Sequence, residues 1–129
     1  MSQHTEQTLK LREVLARPPR ERETPPVEVG RLLSAWMERE PISDIAGKIG
    51  LRDVGTLRQF VRLTTLPDDL QRLVTWGRKS GRLSFTVASE IARASSSAEQ
   101  RRLADLALRD GWSKKDVQKA LRDRPGTPV

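Results

Sequence analysis

Between Ile42 and Pro67 the chain reads ISDIAGKIGLRDVGTLRQFVRLTTLP, and no other stretch leaves the backbone so few choices. Ile45, Ala46 and Ile49 recur at the spacing of one helix face, and Leu57, Phe60 and Val61 at that of a second. Gly50 and a short polar run separate the two. In the common helix-turn-helix frame a small residue of the first helix lies four positions before a turn glycine, and two apolar residues three apart anchor the second helix. Ala46, Gly50, Leu57 and Phe60 fill those roles. The step from Gly50 to Leu57 is one residue longer than usual, which predicts a turn widened around Leu51 to Val54.

The flanking segments carry the same helical period. Leu11, Val14 and Leu15 suggest a short helix within Thr8 to Arg17, and the four prolines of Pro18 to Pro26 read as a stiff, solvated linker. Pro26 suits a first helical turn, and Val29, Leu32, Leu33, Trp36 and Met37 then share one inward face, with Trp36 as core filling and the helix ending before Pro41. Ser43 is the natural cap of the next helix, which closes near Gly50, and the second helix of the motif is expected from Val54 to Thr64. LPDDLQRLV begins another helix, with Asp68 and Asp69 at its positive end and Leu70, Leu73 and Val74 turned inward. Ser84 caps a helix facing inward through Phe85, Ala88, Ile91 and Ala92. Ser97 with Gln100 resembles a capping box for the helix carrying Leu103, Leu106 and Ala107, which Gly111 stops, with Trp112 packed across the turn. Ser113 with Asp116 resembles a second box, opening a last helix with Val117, Ala120 and Leu121 inside and its end before Pro125. No β-branched or aromatic alternation runs long enough to propose a sheet, so the fold class expected is all-α, a compact multi-helix domain containing a helix-turn-helix. The organisation expected is a flexible segment 1–26, one domain over 27–123 and a disordered tail 124–129.

Chemistry is limited by what the 129 residues lack. With no cysteine and no tyrosine there is no thiolate, disulfide or cysteine-held zinc, and the one histidine, His4, lies in a polar end. No acidic cluster accompanies it to hold a metal, so no catalytic residue, metal or cofactor is expected. There is no signal-peptide pattern and no apolar run of membrane-helix length, which points to a cytoplasmic, nucleoid- or plasmid-associated location, no membrane partner and no small-molecule substrate. The charge is uneven. Met1 to Glu40 holds seven basic and seven acidic residues, whereas the remainder holds seventeen and ten, so the whole net charge of +7 lies in the part containing the motif. A basic field of this kind attracts polyanions, of which nucleic acid is the commonest inside a cell.

The order of segments resembles the central DNA-binding domain of the ParB/KorB partition-protein family. In that family a helix precedes the helix-turn-helix, a recognition helix runs into Leu-Pro, and several helices follow. PPVEVGRLLSAWMERE, ISDIAGKIG and GTLRQFVRLTTLPDDLQRLV are similar to those first parts, GRLSFTVASEIARA to the family's Leu-Ser segment with its alanine-rich helix, and SAEQRRLADLALRDGWSKKDVQKAL to its two closing helices. The likeness covers about Pro25 to Arg122, three quarters of the chain. Nothing before the linker resembles the family's CTP-binding domain, and nothing after Asp123 its dimerisation domain. The resemblance therefore implies a stand-alone DNA-binding relative, a transcriptional regulator or partition-type accessory factor, with CTP binding not carried over.

With Leu57, Phe60, Val61 and Thr64 taken as the buried side of the second helix, a step of about 100° per residue places Gly55, Arg58, Gln59 and Arg62 on the opposite arc, as base readers in the major groove. Lys48, Arg52, Thr56, Arg78, Lys79 and Arg82 are the expected phosphate contacts. The partners expected are double-stranded DNA and, beside it, a second copy of the chain or another regulatory protein. The rival reading is a helix-turn-helix-derived module that binds protein instead of DNA, motivated by Asp53 at the turn and by Leu63, which this phase leaves exposed.

Overall fold

A computed structural model describes residues 3–16, 24–51, 53–77 and 79–122 of the chain, with side chains from Leu9 onward. It is mostly helical and divides into two compact units, Met1–Thr65 and Leu66–Val129. The sequence reading puts its boundary in the proline stretch; the two compact units divide after Thr65. Most of the proline linker, and the whole of 124–129, lie outside the described residues.

The first unit consists of α1 (Gln3–Ala16), α2 (Pro26–Met37), α3 (Ile42–Ile49) and α4 (Val54–Leu63). α1 packs on α3 and α2, and its Leu11 is fully buried, so this helix belongs to the core of the unit although it precedes the prolines. α2 starts on Pro26, whose missing N–H would have had no partner in a first turn, and buries Val27, Val29, Leu33 and Trp36. Met37, expected to face inward, is exposed at the last position of that helix.

The most extensive helix pairing in the unit is α2 against α4. It depends on Gly30, where an added Cβ would lie 2.2 Å from the Phe60 carbonyl oxygen and 2.9 Å from its carbon. Only a residue without a side chain lets the two backbones come so close.

The second unit contains α5 (Asp68–Gln71), β1 (Val74–Thr75), β2 (Leu83–Ser84), α6 (Phe85–Ile91), α7 (Ser97–Asp110) and α8 (Lys114–Arg122). Two expectations are corrected here. The helix beginning at Pro67 stops at Gln71, and Val74 and Thr75 pair in parallel with Leu83 and Ser84. The all-α expectation therefore holds for the bulk of the chain but misses this pair, whose strands are too short for any alternation to register. Gly81, at φ 74°, lies in the loop between the strands, and Trp76 stacks at a tilt on Phe85 with ring centres 5.6 Å apart.

Helix ends in this unit are set by side-chain and glycine caps. Ser84 Oγ accepts from the Val87 N–H, as expected. α7 is capped by Ser96, which accepts from the Glu99 N–H, one residue before the expected Ser97. Gln100 turns inward instead, its amide donating to the carbonyls of Ala92 and Ala94. Gly111 closes α7 at φ 63°, and the Asp116 carboxylate accepts from the Ser113 N–H and hydroxyl. Among the described residues no helix is long and apolar enough to cross a membrane.

Candidate nucleic-acid interface

The turn joining α3 to α4 is built from two caps in succession. α3 starts at Pro41, whose carbonyl accepts from the Asp44 and Ile45 N–H groups; Ser43, the expected cap, lies inside the helix and is exposed. At the other end Gly50 turns left-handed at φ 91°. Its N–H reaches back to the carbonyls of Ala46 and Gly47, and the Leu51 N–H returns to Ala46 at 2.9 Å, which satisfies the last carbonyls of the helix. The chain then extends to Asp53, whose Oδ1 accepts from the Gly55 N–H at 2.8 Å and caps α4. The extra residue between Gly50 and Leu57 is accommodated because α4 receives its own cap after the glycine closes α3.

α4 occupies the expected span, but its phase differs. Leu57, Phe60 and Leu63 are fully buried, while Val61 and Thr64 are only half-buried. Leu63 is thus corrected from an exposed to a core residue. The centre of the buried face is turned by roughly 50° from the expected one. The outward arc follows: Arg58 and Arg62 lie within roughly 20° of its middle and Gly55 within roughly 40°, whereas Gln59 moves to the flank, roughly 80° away. Their exposure agrees, with Arg58 exposed, Arg62 partly so and Gln59 half-buried.

The phosphate candidates of the first unit are less open than their residue types suggest. Lys48 Nζ is paired with the Glu40 carboxylate, which also accepts the indole N–H of the buried Trp36. Glu40 therefore ties the end of α2 to α3 and neutralises Lys48. Thr56 is half-buried in the first turn of α4, and the Gly55 N–H is committed to Asp53. The start of α4 carries a carboxylate rather than open N–H groups, which disfavours a phosphate there. Arg52 and Arg78 lie outside the described residues.

In the second unit Lys79 and Arg82 are exposed, and Arg82 Nη1 donates to the Arg72 carbonyl at 3.0 Å. They border a recess of about 590 Å³ together with Ser84, Arg109 and Trp112. Part of this unit's positive charge is paired locally. The Arg101 guanidinium hydrogen-bonds Asp69 and holds that carboxyl below its ordinary value, and Glu99 and Asp110 raise the guanidinium pKa of Arg102 and Arg109 respectively. α8 is different: Lys115, Lys119 and Arg122 follow at i, i+4 and i+7 and are all exposed, a basic stripe that a count of cations at helical spacing would have found. Glu40 and Gly30 also escaped the sequence reading, because their roles are a bridge and an absence, and Asp53 was noted there for its charge but not as a cap.

Comparisons with protein-family models, with curated proteins and with solved structures found no match to this chain.

Proposed function

We propose that α3, the Gly50–Asp53 turn and α4 form a helix-turn-helix, and that the protein binds double-stranded DNA in a sequence-specific manner as a ParB/KorB-like regulator or partition-type accessory factor. The observation that carries this reading is the outward arc of α4. Two arginines, Arg58 and Arg62, occupy the middle of the side opposite Leu57, Phe60 and Leu63, on a helix fixed at its start by a cap and along its length by close packing on α2. Guanidinium groups so placed match the two acceptors of guanine in the major groove, and Gln59 on the flank suits adenine. The net charge of +7 favours approach to the duplex. A palindromic site would take two copies, and a nucleoid- or plasmid-associated location follows from the same reading.

The protein-partner alternative rested on Asp53 and Leu63. Leu63 is in the core and supplies no surface for such a partner, and Asp53 has a local task as a helix cap through one carboxylate oxygen. Site selection from random duplexes, followed by gel shift, tests the proposal. A selected sequence should be bound with an affinity that falls steeply with salt. Alanine at Arg58 or Arg62 should reduce discrimination by about 1–3 kcal/mol at one position each. Wild-type behaviour of the Arg58→Ala/Arg62→Ala double variant would overturn the assignment of the arc.

A further inference from the structure

We propose that Asp53 is a specificity-determining residue of the same interface, accepting a hydrogen bond from the exocyclic amine of cytosine at the major-groove edge. The inference rests on the reading of α4 as the groove helix. Asp53 stands immediately before Val54, where a helix entering the groove brings its first residues to the bases. Its side chain is exposed, and one oxygen is fixed by the Gly55 N–H at 2.8 Å. That fixing is close: a Cβ at Gly55 would lie 2.9 Å from the bound oxygen, so the glycine makes room for the carboxylate. Among the described residues no other hydrogen bond or ion pair to Asp53 occurs, which leaves Oδ2 for a ligand.

The chemistry of a carboxylate narrows that ligand. It accepts and does not donate, so the O6 and N7 acceptors of guanine and the phosphate oxygens repel it, whereas the cytosine amine is a pure donor at the groove edge. Adenine offers an amine beside an acceptor and is the poorer match. Serine, threonine or asparagine would cap α4 about as well without placing a negative charge near DNA. The acid is therefore unfavourable for general affinity and useful only where a base donor meets it, and it complements Arg58 and Arg62, which select guanine.

The test compares the full chain with its Asp53→Asn and Asp53→Ser variants in site selection and in binding to random duplex, with far-UV circular dichroism confirming equal helix content. Both replacements keep a good cap, so at least one folded variant is expected. Wild type should select a cytosine at one position near the guanines. Asp53→Ser should lose roughly tenfold discrimination at that position alone, Asp53→Asn should admit adenine there, and both should bind random duplex more tightly. An unchanged selected sequence with unchanged discrimination in Asp53→Ser would overturn the role of Asp53 and leave the DNA reading standing. A wild-type protein that selects no sequence would overturn that reading and this inference with it.

Discussion

Replacing Gly30 by alanine should loosen the first unit by prising α2 from α4. The new Cβ would start 2.2 Å from the Phe60 carbonyl oxygen and 2.9 Å from its carbon, both backbone atoms that cannot rotate aside. Carbon–oxygen contacts settle at roughly 3.3–3.6 Å, so the helices must part by about 1 Å. A gap of that size forfeits a quarter to a half of the dispersion energy of the atoms lining it. Overpacking of this kind costs about 3 kcal/mol at the upper end of its usual range, and the better helix propensity of alanine returns about 1 kcal/mol. A net loss of about 2 kcal/mol should lower the melting temperature of a unit of this size by roughly 8–16 °C. Gly47 is the control, because a Cβ there meets nothing within 4 Å inside α3. Gly47→Ala should raise stability by about 0.5–1 kcal/mol. Trp36 is the only tryptophan of the first unit, so its fluorescence in a Trp76→Phe/Trp112→Phe background reports that unit's transition. A Gly30→Ala protein melting at or above wild type would refute the account of how α2 holds α4.

Three further outcomes are expected. Leu63→Ala should destabilise the first unit by about 2–5 kcal/mol in urea unfolding, as for a buried leucine; a change within about 0.5 kcal/mol would return Leu63 to the surface. Glu40→Gln releases Lys48 from its pair, so binding to random duplex should strengthen at low salt and the slope of log affinity against log salt should steepen by up to about one; a slope equal to wild type would show that Lys48 does not meet phosphate. In the second unit, Asp69 is held below the ordinary carboxyl value of 3.8, chiefly by its hydrogen bond from Arg101. A depressed folded pKa contributes stability above the unfolded value and loses it as pH falls through the folded one. Arg101→Ala should therefore flatten the acid limb of the melting curve below about pH 4 and leave neutral pH nearly unchanged, since both partners are exposed; an acid limb identical to wild type would remove the pair from the account.

Elements whose ends are fixed by local chemistry were legible in the sequence. Pro26 opens α2, Gly50 closes α3, Ser84 opens α6 and Gly111 closes α7, because each device works through atoms within a few residues of itself. Where two residues offered the same chemistry the local signal was ambiguous. Ser96 and Ser97 are both competent caps, and the choice fell to Ser96 once Gln100 was drawn inward by the carbonyls of Ala92 and Ala94. Pro41 displaced Ser43 in a similar way by starting α3 early, so that the serine lay past the cap position. The strand pair could not be read at all, since two residues pairing with two others nine positions away leave no period.

The candidate site shows a subtler limit, and it concerns rotation of a helix about its axis. On hydrophobicity alone Val61 and Leu63 are equivalent candidates for the inner face of α4, and choosing the former leaves Leu63 outside. What separates them is tertiary packing, which the pattern does not contain. α2 comes close at Gly30, and the atoms closest to the missing Cβ belong to Phe60 and Thr64, so the side of α4 bearing these residues lies against α2. By the roughly 100° step Val61 and Leu63 lie equally far, about 80°, from that side, so this contact alone does not choose between them; the packed unit buries Leu63 and leaves Val61 half-buried. Glycine contributes nothing to an apolar pattern, so the close approach at Gly30 is invisible to a reading of that pattern. Arg58 and Arg62 survive the correction because they straddle the middle of the new outward arc, whereas Gln59 does not. Within the proposed base-reading set the two arginines therefore carry the groove assignment, and the rotation of α4 is fixed by packing that its own apolar pattern leaves open.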